Sequence, residues 1–323
     1  MFLEESSEEL LKKISQLEER ASHAESLLAA MEASRSWAIT QPFRTYSSLR
    51  REDSVERMIR QYERKLLSLP KSVTISASPP ILVALGTRSE YQVGVIIHAH
   101  FIDVLESLIT PLSQISNLKR IFVTYNNPNF ETEIRNLISQ YLSPHVELTL
   151  LLFENRGRDV LPFLRVLKYI DSNPDQKCEV YLKLHTKKST HLRNGGAWRD
   201  GLVSELVPPN VDELTQYVAS NSNLGFVAPL RWTVGSESLG RNRKKVKLLM
   251  RRGGFKARTK LVFPAGTMFW FNSNLIELLK PIDFQYEEFE TEMGQLDGTT
   301  AHAFERIIGK VSIASRSDVW LMN

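Results

Sequence analysis

One cysteine, Cys178, among 323 residues rules out an internal disulfide and any multi-cysteine zinc site, and it suits a reducing compartment. The thiol reads as a small buried hydrophobe. Long apolar runs are also missing: no stretch approaches the roughly 20 residues that cross a bilayer. The acidic opening MFLEESSEEL has neither the basic nor the apolar part of a secretory leader, so a cytoplasmic chain is expected. There is no internal repeat. Hydrophobic residues make up 42% and charged residues 24%, which excludes disordered and fibrous classes. At this length one large α/β domain with an appendage is expected.

Acidic side chains are absent from one place in particular. Net charge is only +4, yet residues 241–260 (RNRKKVKLLMRRGGFKARTK) hold ten basic side chains and no acidic one. Such a segment is either a solvated loop or the partner of an anion. Nucleic acid is disfavoured, because no binding-module motif and no interleaved aromatics accompany the charge. Anionic lipid or a sugar diphosphate fits better, with peripheral docking on the inner face of the plasma membrane as the corresponding location.

What is present divides in two. Leu10, Ile14, Leu17, Ala21, Ala24, Leu28 and Met31 alternate by four and three, the seam of a heptad repeat, and predict a coiled-coil stalk. The stalk is either an oligomer contact or a helix packed on its own domain. Pro42, with Trp37 and Phe43 beside it, marks a junction over Ser34–Arg44. A second helix is expected over Ser54–Leu69 and an extended stretch over Lys71–Arg88, giving a stalk and linker over 1–90 and a catalytic-sized domain over 91–323.

From Tyr91 short apolar runs alternate with helical patterns, the texture of βαβ units in a mostly parallel sheet flanked by helices. Strands are predicted at Gln92–His98, Arg120–Tyr125, Val146–Phe153, Val180–Leu184, Leu224–Ala228, Thr267–Phe271 and Lys310–Ser315. Helices are predicted at Phe101–Leu112, Glu131–Tyr141, Val160–Ile170 and through Thr299–Ile308. Ligands of such sheets sit at the carboxyl ends of the strands, and there the polar residues gather: His98 and His100, Asn126 and Asn127, Asn155 to Asp159, and His185 to Ser189.

Each group has two readings. Asn155-Arg156-Gly157-Arg158-Asp159 offers guanidinium forks and free amides before a helix, an anion cradle, or else a helix start capped by Asp159. His185-Thr186-Lys187-Lys188-Ser189 brings two lysines that would neutralise a diphosphate, or is simply a polar strand end. His98 and His100 share a strand face and read as neutral hydrogen-bonding histidines beside a ligand, ahead of metal ligands. In Phe263–Phe271, Gly266 allows close backbone approach, while Trp270 faces opposite Phe269 and Phe271 and is the candidate for stacking on a sugar, unless the strand is core. Asp297 stands before a helix as a cap or as the general base, with His302 and Arg306 on one face of that helix.

In order, NRGRD, LKLHTKKS, Trp198-Arg199, PAGTMFWF and DGTTAHAFER resemble the rhamnan synthesis protein F family over about Val93 to Arg306. That resemblance implies bacterial O-antigen, capsule or cell-wall polysaccharide synthesis, with a nucleotide-activated sugar as donor and a lipid-linked glycan as acceptor. The family's founding activity is rhamnosyl transfer from dTDP-L-rhamnose. Motif order is also similar to GT-A glycosyltransferases, which implies a GT-A-like, Rossmann-type fold.

Under this resemblance Asp297 is the base of an inverting transfer. Asn155, Arg156, Arg158, Asp159, His185, Lys187, Lys188, His98 and Asn126 face the donor. Trp198, Arg199, Gly266, Trp270, His302, Glu305 and Arg306 face the acceptor sugar. His185-Thr186-Lys187 stands where GT-A enzymes carry a metal-binding Asp-X-Asp, so a divalent Mg²⁺ or Mn²⁺ is not the favoured cofactor. The other functional class is a non-catalytic glycan-binding or scaffolding module, suggested by the stalk and the missing Asp-X-Asp.

Overall fold

The computed structural model describes residues 70–80, 90–186, 195–295 and 297–322, without the side chains of 195–200 and 236–238. The chain divides into two compact units, Met1–Ser68 and Leu69–Asn323, and every described residue belongs to the second. The predicted stalk, the Ser34–Arg44 junction and the Ser54–Leu69 helix lie outside the described residues, as do Lys187 and Lys188.

Eight strands form one sheet. They are β1 (Val73–Ser76), β2 (Val93–Ala99), β3 (Leu118–Tyr125), β4 (Glu147–Leu152), β5 (Val180–His185), β6 (Leu224–Pro229), β9 (Phe269–Asn272) and β10 (Asp318–Met322). Their order is β1-β10-β6-β9-β5-β2-β3-β4. All neighbours run parallel except β9, which is antiparallel to both β5 and β6. A separate antiparallel pair joins β7 (Thr233–Gly235) to β8 (Val262–Pro264).

The central strands read as continuous apolar runs because both faces are covered, the condition a parallel sheet imposes. In β2 all seven residues of VGVIIHA are buried, and in β5 all six of VYLKLH. Helices α1 (Leu105–Ile109), α2 (Glu131–Tyr141), α3 (Val160–Ser172), α4 (Gly195–Leu206), α5 (Val211–Ser220), α6 (Arg243–Arg252), α7 (Ser273–Leu279) and α8 (Thr300–Ala314) complete the layers. In α3, Val160, Phe163, Val166, Leu167 and Ile170 recur at three and four, the spacing of one buried helical face. Phe163 meets Phe269, Phe271 and Phe304 edge to face at ring separations of 5.6–6.3 Å, cementing α3 and α8 onto one face of β9.

Several expectations are corrected. Residues 73–76, assigned to the linker, supply the strand β1, whose only sheet partner among the described residues is β10. Lys310–Ser315 is not a strand: α8 runs through it to Ala314. Phe304, Ile308 and Val311 are all fully buried and fall at i, i+4 and i+7, so helical burial overrides the β-branched composition there. The last strand follows at Asp318. Residues 243–252, open between loop and anion partner in the sequence, form α6, which buries Val246, Leu249 and Met250.

Candidate functional site at the carboxyl edge of the sheet

The loop from β4 to α3 turns sharply at Gly157, φ 65°, and Arg158, φ 57°. A β-carbon at Gly157 would lie 2.6 Å from the Leu161 β-carbon and 2.8 Å from the Phe289 ring, so only glycine fits. Arg158, a side-chain-bearing residue in left-handed backbone, is held by its guanidinium. Nε donates to Glu292 at 2.9 Å, Nη1 reaches His302 Nε2 at 3.0 Å, and Nη2 donates to the Gln295 carbonyl. On its other side His302 Nδ1 faces Thr299, accepting from the Thr299 amide at 3.4 Å and lying 2.7 Å from Thr299 Oγ1. His302 is thus held between Arg158 and the capping box that starts α8.

Arg156 turns differently. Its Nε donates to the Phe289 carbonyl at 2.7 Å and the guanidinium lies 4.8 Å over the Tyr286 ring, leaving both terminal amino groups with no hydrogen-bond partner among the described residues. Asn155 is exposed beside it.

Asp159 corrects two expectations. It makes no cap hydrogen bond to α3, and its carboxylate is not offered to a donor. Oδ2 accepts from Lys183 Nζ at 2.5 Å and from the Thr267 hydroxyl, and Lys183 also donates to the Thr267 carbonyl at 3.0 Å. Burial alone would push the Asp159 carboxyl up, but the ammonium of Lys183, with help from His185 and Thr267, holds it well below the carboxylate range. The pair ties the loop to the middle of β5. Lys183 escaped the sequence reading, although a lone lysine inside an otherwise apolar buried strand was a usable signal.

At the ends of β2, β3 and β5 the polar side chains meet. Thr124 donates to the Ile97 carbonyl at 3.3 Å, so its oxygen accepts from His98 Nδ1 at 2.9 Å, and the neutral ring presents Nε2 as an acceptor. Burial lowers the His98 pKa to about 3. His100 is the reverse: the Asn126 amide donates to its Nδ1 at 2.8 Å, leaving Nε2–H as a donor. The two rings stack with centroids 6.3 Å apart. Thr186 Oγ1 accepts the His100 and Phe101 amides at 2.9 and 2.8 Å, and His185 Nε2 donates to the Gly266 carbonyl. Gly266, φ 79°, starts the turn that leads into β9.

Asp297 precedes α8 but does not cap it, since Thr299 does. Its oxygens accept from the Arg241 amide at 2.9 Å and the Asn242 side chain at 2.5 Å, with Arg306 3.9 Å away. Partial burial would raise its pKa, but the Arg241 amide, Asn242, the Gly298 amide and Arg306 keep it below the ordinary value. Arg306 is buried, pairs with Glu305 at 2.7 Å and lies 4.9 Å over Phe263.

Trp270 is the clearest correction. It is fully buried, and its indole nitrogen donates to the Leu206 carbonyl at 2.7 Å; no sugar can stack on it without opening the core. Trp198 and Arg199 lie in α4, with side chains outside the described residues. Among the described residues, no three His, Cys, Asp or Glu side chains gather as a metal site would require, and no helix is long and apolar enough to cross a membrane.

These features define a mainly parallel α/β protein with a polar carboxyl edge. The family model for rhamnan synthesis protein F matches residues 55–317, and the chain belongs to that family. Uncharacterized protein WxcX of Xanthomonas campestris pv. campestris, in strain B100 and in strain ATCC 33913, is 34% identical over 218 residues, 67% of this chain. The match spans only 30% of the length of those relatives. A cytidylyltransferase from Leptospira borgpetersenii superposes at TM-score 0.36 and 10% identity, over 72% of this chain and 76% of that one. A 4-diphosphocytidyl-2C-methyl-D-erythritol synthase superposes at TM-score 0.36 and 9% identity, over 73% and 90%. Superpositions that loose say nothing of this chain's activity.

Proposed function

We propose that this chain is a GT-A-like glycosyltransferase domain of bacterial surface-polysaccharide synthesis, moving a sugar from a nucleotide-sugar donor to a lipid-linked glycan. Rhamnose from dTDP-rhamnose is the first donor to try. The observation that carries the reading, within a family of polysaccharide synthesis, is the gathering of His98, His100, Asn126, His185 and Thr186 at three adjacent parallel strand ends, where ligands of such sheets bind.

There the His98 acceptor and the His100 donor suit the edge of a nucleobase or the hydroxyls of a ribose. The free amino groups of Arg156 and the ammonium groups of Lys187 and Lys188 suit a diphosphate, whose charge must be stabilised as it leaves. Asn155, at the same loop, is a further polar contact for the donor. Asp297, ionised and partly open, is the base for the acceptor hydroxyl. Glu305, Arg306, Gly266 and the α4 residues Trp198 and Arg199 remain for the acceptor sugar. His302, locked to Arg158, positions the loop.

A second reading is favoured by one specific observation: both Asp297 oxygens are already engaged. A non-catalytic glycan-binding module would show the same. The experiment is a thermal-shift panel of nucleotide sugars on the full chain, followed by donor hydrolysis. A stabilising nucleotide sugar that is also cleaved supports transfer. Binding of a glycan without cleavage or binding of any nucleotide sugar establishes the module instead.

A further inference from the structure

The basic segment is sorted by the fold into two sets. Lys245 and Arg252 turn toward the body, where Lys245 pairs with Glu290 at 2.5 Å and Arg252 with Glu288 at 2.5 Å. Arg243, Lys244, Lys247 and Arg251 are exposed and form no ion pair among the described residues. They fall at i, i+1, i+4 and i+8, one continuous face of α6.

At the border of that face, one turn after Lys244, sits Leu248, 58% exposed and among the few large apolar side chains left open. The chain then leaves α6 through Gly253 and Gly254 and adds Lys256, Arg258 and Lys260, all exposed. A helix that buries Val246, Leu249 and Met250 while presenting basic residues around an open leucine has the make-up of an interfacial helix: the cations meet lipid phosphates and the leucine enters the headgroup boundary.

We infer that the outer face of α6, Arg243, Lys244, Lys247, Leu248 and Arg251, docks on an anionic membrane surface. The segment just before this helix is the one that grips Asp297, through the Arg241 amide and the Asn242 side chain. A docked α6 therefore holds the Asp297 loop beside the surface where a lipid-linked acceptor resides. That last consequence rests on the sugar-transfer reading, whereas the docking itself does not.

The test is co-sedimentation of the full chain with vesicles of phosphatidylcholine alone or mixed with phosphatidylglycerol. Binding is expected only to the mixed vesicles and should fall as salt is raised, because surface attraction is screened within about 8 Å at physiological ionic strength. Each basic side chain at an anionic surface contributes a factor of about five, so Arg243→Gln, Lys247→Gln and Arg251→Gln together should weaken partitioning by roughly 10²-fold. Leu248→Ser should weaken it by about fivefold at every salt concentration, the scale of a partly buried leucine. Lys245→Gln removes the same charge from the inner set and should leave partitioning within about twofold.

Equal binding to neutral vesicles would overturn the proposal. So would full binding by the triple variant, or a loss in Lys245→Gln as large as the triple variant's. Capture of an RNA duplex by the wild type in place of vesicles, lost in the same triple variant, would reassign the face to nucleic acid. Nucleotide-sugar binding in solution, which reads the carboxyl-edge site, should be unchanged in all of these variants, so failure of the docking and failure of the sugar-transfer reading remain distinguishable.

Discussion

Replacing Lys183 by methionine should be among the most damaging single changes to this fold, and its effect should invert with pH. The ammonium is 1% exposed and bonded to Asp159 and Thr267. Lys183→Met fills the space but strands the Asp159 carboxylate, 12% exposed, with a hydroxyl for company. Breaking a buried pair from one side costs about 3–5 kcal/mol, and for a domain of this size that is a fall in Tm of about 10 °C or more. Adding Asp159→Asn should recover most of the loss, because no charge is then left stranded.

The pH dependence follows from the sign of the Asp159 shift. In the wild type its folded pKa lies below the unfolded value, so its stabilisation is present above about pH 4 and is lost as pH falls through the region below it. In Lys183→Met the chief lowering charge is gone and burial dominates, the folded pKa rises, and protonation relieves the cost. Wild-type stability should therefore fall between about pH 5 and 3 while the variant's flattens or rises. Thermal and urea melts of the full chain at several pH values measure both. A Tm loss under about 2 °C at neutral pH, or parallel pH curves, would refute the claim that the pair is buried and ionised.

Trp270→Phe should lower stability by about 1–3 kcal/mol, since the Leu206 carbonyl loses its donor, while nucleotide-sugar affinity stays within twofold of about unity; a selective loss of sugar affinity would return Trp270 to the site. Asp297→Asn should reduce turnover by about 10²-fold or more if the carboxylate is the base, and the acid limb of the wild-type pH–rate profile should lie below the usual carboxylate range because its pKa is lowered. Near-normal turnover in that variant would leave Asp297 as a clamp on Arg241 and Asn242. Transfer should survive EDTA, given Lys187 in place of an acidic metal ligand, and Lys187→Ala and Arg156→Ala should each weaken donor binding. Loss of activity in EDTA with rescue by Mg²⁺ or Mn²⁺ would reject the cationic clamp.

Period and burial made most of the sheet legible. The β2, β3, β5 and β6 runs are mostly apolar because both faces are covered, with the exceptions, such as Lys183 and His98, paired inside, and α2 was legible to the residue from its buried Ile134 and Ile138. Less visible were elements whose identity depends on distant partners. The strand at Val73 pairs with β10, nearly 250 residues away in sequence, and VSIAS at the end of α8 reads as a strand until Phe304 and Ile308 fix its face. At the site, residue types were readable but orientation was not: Asp159 and Arg158 carry the right chemistry for a phosphate, yet Lys183, Glu292 and His302 claim their hydrogen bonds first. Trp270 alternates with Phe269 and Phe271 as expected, but both faces of β9 are interior, so neither side of the alternation reaches solvent.

The insertion of β10 between β1 and β6 has a consequence for how the protein is made. β6 is complete once Pro229 has been added, and its parallel neighbour arrives only with residues 318–322. At about 5–20 residues per second, this fully buried strand waits on the order of 5–20 s on the ribosome with its ladder of amides and carbonyls unpaired on that side, the kind of edge that recruits other chains. The same five residues bring Trp320 against Tyr217, ring centroids 5.3 Å apart. Slow translation of the codons between β6 and β10 lengthens that wait, so codon usage and chaperone supply there should govern how much of the protein is recovered in soluble form.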